Sequence, residues 1–158
     1  MARPTQSHPF VCGDFPLEPT GQARQINVMT VTLNHTIVSA RDKRKSAEFL
    51  AELLGMPAPT IYGPFAVVQI GPTSIDFVND DGKISSRHFA FLVNEAEFDE
   101  IFGRIKARGM KYWADPYHRE PGRINTRDDG RGVYFEDPDG HNLEILTRPY
   151  GSGGAGSD

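Results

Sequence analysis

The sequence predicts an α+β fold in which two βαβββ modules pair into a curved mixed sheet. A strand–helix–three-strand pattern occurs twice in succession, and three pairs of residues take matching places in the two copies. His35 and His88 lie in the first strands, 53 residues apart, and Gly55 and Gly109 lie at the helix ends, 54 residues apart. Asp76 and Glu144 lie in the last strands, 68 residues apart. A polar insertion of about 14 residues, ending at Arg131, explains the longer third spacing. Such a period is typical of a duplicated module and not of a solenoid.

The composition fits one domain with an ordinary core. The chain has 158 residues, of which 38% are hydrophobic and 24% are charged, and this size can bury a core without disulfides. Its net charge of −4 makes nucleic acid an unfavourable partner, because phosphates select basic surfaces. Cys12 is the single cysteine, and no apolar run is long enough to cross a membrane. Since no signal-peptide pattern is present either, we expect a cytoplasmic protein without a membrane partner.

The chain divides into three parts. Residues 1–28 contain prolines without strand or helix periodicity, which indicates an irregular N-terminal extension. Residues 29–149 form the predicted domain, with modules at about 29–83 and 84–149. Residues 150–158 are rich in glycine and serine and are predicted to be a flexible tail.

The first module begins with a β-branched segment and continues with an amphipathic one. Val31–Val38 is predicted to be a strand, and Asp42–Leu54 a helix that Gly55 ends. Three short strands separated by glycine turns follow: Thr60–Tyr62, Phe65–Ile70 and Ser74–Val78.

The second module repeats this order. Arg87–Val93 is predicted to be a strand, and Asn94 with Glu97 resembles a capping box that opens a helix ending at Gly109. The remaining segments are a strand that starts with Tyr112–Ala114, the hydrophilic insertion Tyr117–Arg131, and two strands within 132–147 joined by the turn Asp137–Gly140.

Strand alternation predicts that the polar side chains of both modules share one face of the sheets. Apolar neighbours such as Phe89 and Leu143 alternate with them and therefore face the other side. The polar set consists of two imidazoles and two carboxylates: His35, His88, Asp76 and Glu144. Such a set suits a divalent metal ion, namely Fe²⁺, Mn²⁺, Ni²⁺, Co²⁺ or Zn²⁺, and no site for an organic cofactor is predicted.

Three motifs make the chain similar to the vicinal oxygen chelate superfamily of glyoxalases, bleomycin-resistance proteins and extradiol dioxygenases. They are Leu33–Val38, Arg87–Phe91 and Tyr134–Glu144. The resemblance implies that His35, His88 and Glu144 bind a divalent metal. Glyoxalase-like members have a further glutamate ligand where this chain has Asp76, whose carboxylate is one methylene shorter.

The resemblance implies an enzyme that binds a small oxygenated substrate at the metal, with lyase or isomerase chemistry as our first expectation. Glu144 or Asp76 would then act as the base, with Tyr134 as a supporting or substrate contact. The first alternative is a ring-cleaving extradiol dioxygenase, although Asn125 lies where those enzymes have an acid–base histidine. The second is a non-catalytic drug- or metabolite-binding resistance protein. Ile37 replaces a threonine of the fosfomycin-modifying thiol transferases, which weakens that assignment.

Further expectations concern partners and loops. The family's usual assembly implies a homodimer, whose metal site lies within one chain or is shared by two. The insertion, with basic residues such as Arg119 and Arg123, is a predicted lid or specificity loop. His141 is expected to stabilise the adjacent turn.

Overall fold

The computed structural model describes residues 31–153. In chain order, the elements are β1 (His35–Ala40), α1 (Lys43–Leu54), β2 (Thr60–Tyr62), β3 (Phe65–Ile70), β4 (Thr73–Asn79), β5 (His88–Leu92), α2 (Glu95–Ala107), β6 (Tyr112–Trp113), β7 (Gly132–Glu136) and β8 (Asn142–Leu146). A short 3₁₀ turn at Arg127–Asp129 lies in the insertion. This order repeats the βαβββ unit twice and confirms the predicted fold class. Among the described residues, no helix is long and apolar enough to cross a membrane.

Each module forms its own four-stranded mixed sheet. The strand orders are β1-β4-β3-β2 and β5-β8-β7-β6. The first strand of each module is parallel to the last one, and the other pairs are antiparallel. Within residues 31–153, β1 and β5 therefore each lie at one edge of their sheet, and β2 and β6 lie at the other. The helix of each module makes the crossover that a parallel pair requires.

Local sequence explains where the helices begin and end. The side chain of Asp42 accepts hydrogen bonds from the backbone N–H groups of Arg44 and Lys45 at the start of α1. Asn94 and Glu97 form the predicted capping box, so that prediction is confirmed. Gly55 ends α1 with φ of 73°, a left-handed conformation that favours glycine.

The core lies on one face of both sheets, between them and the helices. It includes the alternate residues that the sequence assigned to that face, among them Ile75, Phe77, Leu143 and Ile145. Phe89 and Phe91 pack against this core. The opposite face of each sheet carries the polar set, as the alternation predicted.

His141 connects the two modules. Its ring is buried, its Nδ1 accepts the backbone N–H of Arg87 at 3.0 Å, and its Nε2 lies 2.9 Å from the carbonyl oxygen of Ser39 in β1. Because Nδ1 is an acceptor, Nε2 carries the proton and donates to Ser39. His141 is predicted to stabilise its own turn, and in the structure it also stabilises the junction between the two modules.

Most predicted element ends lie within two residues of the observed ones, but two predictions differ further. Strand β1 starts at His35 and not at Val31, because the pairing with β4 begins at His35 and Ser74, close to where β4 itself starts. The predicted flexible tail is anchored over its first part, since Tyr150 and Gly153 make hydrogen bonds to the rest of the domain. The predicted extension at residues 1–28 and the last residues of the tail lie outside the described part of the chain.

Candidate metal centre

His88 and Glu144 lie side by side on the polar face of the second sheet. His88 pairs with Asn142 and Glu144 pairs with Ala90, so the two side chains are diagonal neighbours on adjacent strands. His88 Nε2 lies 3.4 Å from Glu144 Oε2. Two ligand atoms that each lie about 2.1 Å from one ion, at right angles, would be about 3 Å apart. The spacing therefore fits two ligands of one metal ion.

Hydrogen bonding prepares His88 for this role. Its Nδ1 lies 3.0 Å from the backbone carbonyl oxygen of Asn142. A carbonyl only accepts, so Nδ1 carries a proton, and in the neutral ring Nε2 therefore presents its lone pair toward Glu144. Metal-binding histidines usually have such an acceptor behind the ring.

Glu144 is buried, with 1% of its surface exposed. Tyr150 Oη donates a hydrogen bond to Glu144 Oε2 at 2.5 Å, and Tyr134 Oη lies 2.9 Å from Tyr150 Oη. Because the hydroxyl hydrogen of Tyr150 goes to the carboxylate, Tyr134 donates to Tyr150. Burial, together with the hydrogen bond to Tyr150, raises the pKa of Tyr134 far above its usual value, so this phenol stays protonated.

The first module places His35 and Asp76 in the same relation as His88 and Glu144. His35 pairs with Ser74 and Asp76 pairs with Ile37, which reproduces the register of the second module. His35 is exposed, and its Nδ1 lies 2.9 Å from Asn34 Oδ1, so its Nε2 is also left as the free acceptor. Asp76 is half-buried and accepts a hydrogen bond from Ser74 Oγ at 2.7 Å.

The predicted ligands do not all meet within one chain. Across residues 31–153, no group of three or more His, Cys, Asp or Glu side chains is close enough to hold a metal ion. The structure brings His88 and Glu144 together and leaves His35 with Asp76 on the other module. Tyr134, the other predicted catalytic residue, is 2% exposed and lies behind Glu144 in contact with Tyr150.

Hydrogen bonds to Asp115 order the first part of the insertion. The Asp115 carboxylate accepts the backbone N–H groups of Tyr117, Arg119 and Glu120. Burial raises the pKa of Asp115, but these three donors outweigh it, and the pKa is lowered overall. The segment next to the site is therefore ordered by an ionised carboxylate.

His118 joins this segment to β8, the strand of Glu144. Its ring stacks on Trp113 at 3.8 Å between centroids, and its Nε2 lies 3.2 Å from Asn142 Oδ1. Asn142 thus contacts His118 with its side chain and His88 with its carbonyl. Asn125 bridges Gly132 through its backbone, and its amide donates to the carbonyl of Ala114.

Sequence reasoning missed Tyr150 and Asn142. Tyr150 follows the last strand directly before the glycine-rich tail, and an aromatic residue at that place was the available signal. Asn142 lies two residues before Glu144, on the same face of β8, and this parity could have identified it.

The comparisons with known proteins agree with the fold. Residues 32–145 match the model of the Glyoxalase/Bleomycin resistance protein/Dioxygenase superfamily. The solved structure of the oxidase ChaP-H2 is 62% identical, covers 80% of this chain and 100% of its own, and has a TM-score of 0.78. The oxidase ChaP-H1 is 61% identical, covers 77% of this chain and 98% of its own, and has a TM-score of 0.75.

A more distant relative has the name of a metallothiol transferase. The metallothiol transferase FosB of Shouchella clausii is 30% identical over 73% of this chain and 79% of its own length. Its name and those of the two oxidases support an enzyme of this superfamily. With the duplicated βαβββ fold and the family match over most of the described residues, the chain belongs to the glyoxalase/bleomycin resistance protein/dioxygenase superfamily.

Proposed function

We propose that this protein is a metal-dependent oxidase that acts with dioxygen on a small oxygenated organic substrate. The observation that carries the proposal is the identity of 61% and 62% to the oxidases ChaP-H1 and ChaP-H2, over 98% and 100% of their lengths. This proposal favours the oxygen-dependent alternative of the sequence analysis over lyase or isomerase chemistry.

The ligand set that we propose is His35, His88 and Glu144. Two histidines and one carboxylate with open positions are typical of non-haem Fe(II) oxygenases. Asp76 is outside our proposed set, because its carboxylate is one methylene shorter than that of Glu144, which takes the equivalent place in the second module. The bound metal would supply positions at which a substrate oxygen and dioxygen can be activated together.

The proposed site is shared between two copies of the chain in a homodimer. One copy contributes His88 and Glu144, and the second contributes His35. Edge strands β1 and β5 support this arrangement, because an edge with free backbone groups is a natural pairing surface. Ile37 and Leu92, which lie on the same faces as His35 and His88, are 54% and 60% exposed and would be covered by the partner.

The residues of the chain have separate tasks in this proposal. The two imidazoles, protonated at Nδ1, present Nε2 to the metal. Asp76 lies on β4, the strand beside that of His35, and both side chains are on the same face of the sheet. This place suits Asp76 to accept a proton from a substrate hydroxyl. The insertion, ordered by Asp115, would cover one side of the substrate and limit its contact with water.

Two other reactions of the superfamily have weaker support. Lyase or isomerase chemistry, our expectation from sequence, would use Glu144 or Asp76 as a base and remains a prediction. Thiol transfer is suggested by the metallothiol transferase FosB, and fosfomycin by the fosfomycin resistance protein FosX of Listeria innocua, which is 38% identical over only 37% of this chain. Ile37, on the face of His35, gives that position an apolar side chain in place of a hydroxyl.

The proposal is tested with ferrous iron and nitric oxide, a dioxygen surrogate. Purified protein is loaded with Fe²⁺ under argon, and nitric oxide is added in the EPR cuvette. We expect about one Fe²⁺ per chain and a high-spin iron–nitrosyl signal, because the three-residue ligand set leaves positions open. His88→Ala should lose both the iron and the signal. Iron binding without any nitrosyl signal would contradict an oxidase site.

A reaction panel then separates the chemical classes. Loaded protein is tested for dioxygen uptake with catechols and larger polycyclic phenols, for lyase activity on the adduct of methylglyoxal and glutathione, and for thiol transfer to fosfomycin. Uptake that depends on iron and on His88 would support the oxidase. Turnover of the glutathione adduct or of fosfomycin without oxygen uptake would favour the other classes.

A further inference from the structure

The C-terminal segment after β8 contacts the proposed metal centre at one point. Tyr150 Oη donates to Glu144 Oε2 at 2.5 Å, the same oxygen that lies 3.4 Å from His88 Nε2. Tyr150 lies six residues beyond Glu144, outside every strand, and it reaches back across the end of the sheet. The contact therefore depends on the path of the segment after the strand.

Glu144 needs a donor at this position. An ionised carboxylate that is almost fully removed from water is unstable unless hydrogen bonds or a cation compensate for its charge. The neutral ring of His88, the form that binds a metal, donates from Nδ1 to Asn142 and presents a lone pair and not a proton toward Glu144. The hydroxyl of Tyr150 supplies the hydrogen bond, and it also fixes the rotation of the carboxylate about its last bond.

Two further contacts hold Tyr150 in place. Tyr134 Oη donates to the oxygen of Tyr150 at 2.9 Å, which aligns the hydroxyl for donation to Glu144. The backbone N–H of Gly153 donates to Asp128 Oδ1 at 3.0 Å and anchors the segment to the insertion. A Cβ atom at Gly153 would lie 2.7 Å from the Cα of Asp128, so this approach requires glycine.

From this geometry we propose that Tyr150 is a positioning residue for the metal ligand Glu144. It holds Oε2 beside His88 Nε2, so that the two atoms meet the metal together, and Tyr134 orients it. The inference rests on the metal centre of the proposed function and assigns a role to the segment after the last strand. A ligand carboxylate that is fixed by a hydrogen bond binds metal more tightly than a rotating one.

The test is Tyr150→Phe, which removes one hydroxyl and keeps the ring. Cobalt(II) is titrated into the full-length protein, and both the affinity and the visible absorption of the bound ion are measured. We expect about 10- to 100-fold weaker binding and a changed absorption spectrum, because Glu144 loses its fixed orientation. Because buried Glu144 loses a hydrogen-bond donor, the melting temperature without metal should fall moderately, and a circular dichroism spectrum like that of wild type checks that the fold is kept.

Tyr112→Phe is the matched control. Tyr112 lies on β6 with its ring against Phe102, away from the polar face, so loss of its hydroxyl should leave cobalt binding unchanged. Tyr134→Phe should weaken binding less than Tyr150→Phe, and the double variant should be no weaker than Tyr150→Phe alone, because Tyr134 acts through Tyr150.

The outcomes separate the two proposals. Wild type that binds cobalt with the same affinity and spectrum as Tyr150→Phe would overturn the role of Tyr150 and leave the metal centre intact. Wild type that binds no divalent metal would overturn the proposed function and this inference with it. An equal loss of affinity in Tyr112→Phe would also overturn it, since the effect would then be unspecific.

Discussion

A shared metal centre predicts that two inactive variants restore each other. His35→Ala removes the ligand from the first module, and His88→Ala removes one from the second. Each homodimer then lacks a ligand in both of its sites. In a mixed dimer, one site combines the intact His35 of one chain with the intact His88 and Glu144 of the other, while the second site lacks both histidines.

The expected magnitude follows from this geometry. Random assembly of equal amounts gives mixed dimers in about half of the population, and each has one complete site of two, so about a quarter of the wild-type sites should return. The two variants are unfolded in urea, mixed, refolded, and titrated with Mn²⁺ by EPR. The separate variants, treated in the same way, should show almost no tight binding.

A second mixture provides the control. His88→Ala and Glu144→Gln both alter the second module, so no mixed dimer can contain a complete site, and binding should not return. Recovery in this control, or no recovery in the first mixture although mixed dimers form, would refute a site shared across the dimer. Normal binding by His35→Ala alone would exclude His35 from the ligand set.

Three further predictions concern individual residues. Asp76→Asn should change metal affinity by less than about threefold, because Asp76 is outside the proposed ligand set, and a loss of about 10-fold or more in isothermal titration would place it inside. His141→Ala should lower the free energy of unfolding in urea by about 2–4 kcal/mol, because it leaves the N–H of Arg87 and the carbonyl of Ser39 without partners and opens a cavity. Unchanged stability would contradict this role. The lowered pKa of Asp115 means that its stabilisation of the insertion is present above the pKa of about 3.9 in the unfolded chain and is lost as pH falls through the lower folded value. The protection of the Arg119 and Glu120 amides, measured relative to the intrinsic exchange rate at each pH, should fall in strong acid, and in Asp115→Asn it should already be low at neutral pH.

The fold could be predicted because its signals are local and occur twice. The capping box at Asn94 and Glu97 and the stop at Gly55 concern neighbouring residues and need no tertiary contact. Alternation in the strands fixes which face each side chain takes, and a register error would reverse it. The matching places of Asp76 and Glu144 therefore predicted that the two modules are equivalent. The structure agrees, because β1 pairs with β4 in the same register as β5 pairs with β8.

The boundary of β1 and the tail were harder, because their state depends on distant neighbours. Val31 and Leu33 have strand-forming side chains, yet they precede the residue that pairs near the start of β4. Gly153 belongs to a glycine-rich run, and its packing against Asp128 depends on where the insertion lies. The composition of such a segment predicts whether it is flexible, but it does not predict which residues the segment contacts.

For the candidate site, the sequence by itself determined which donors are available and which face they share. The residue types identify His35, His88 and Glu144 as candidate metal ligands. Their places along the strands predict that their side chains share one face, because side chains alternate between the two faces of a sheet. The tertiary structure decided their grouping: it brings His88 and Glu144 to 3.4 Å, keeps His35 on the other module, and places Tyr150 on the carboxylate. The physical reason is that distances between strands and the path of the chain after β8 depend on how modules pack, and packing is a property of the whole chain that no local spacing encodes.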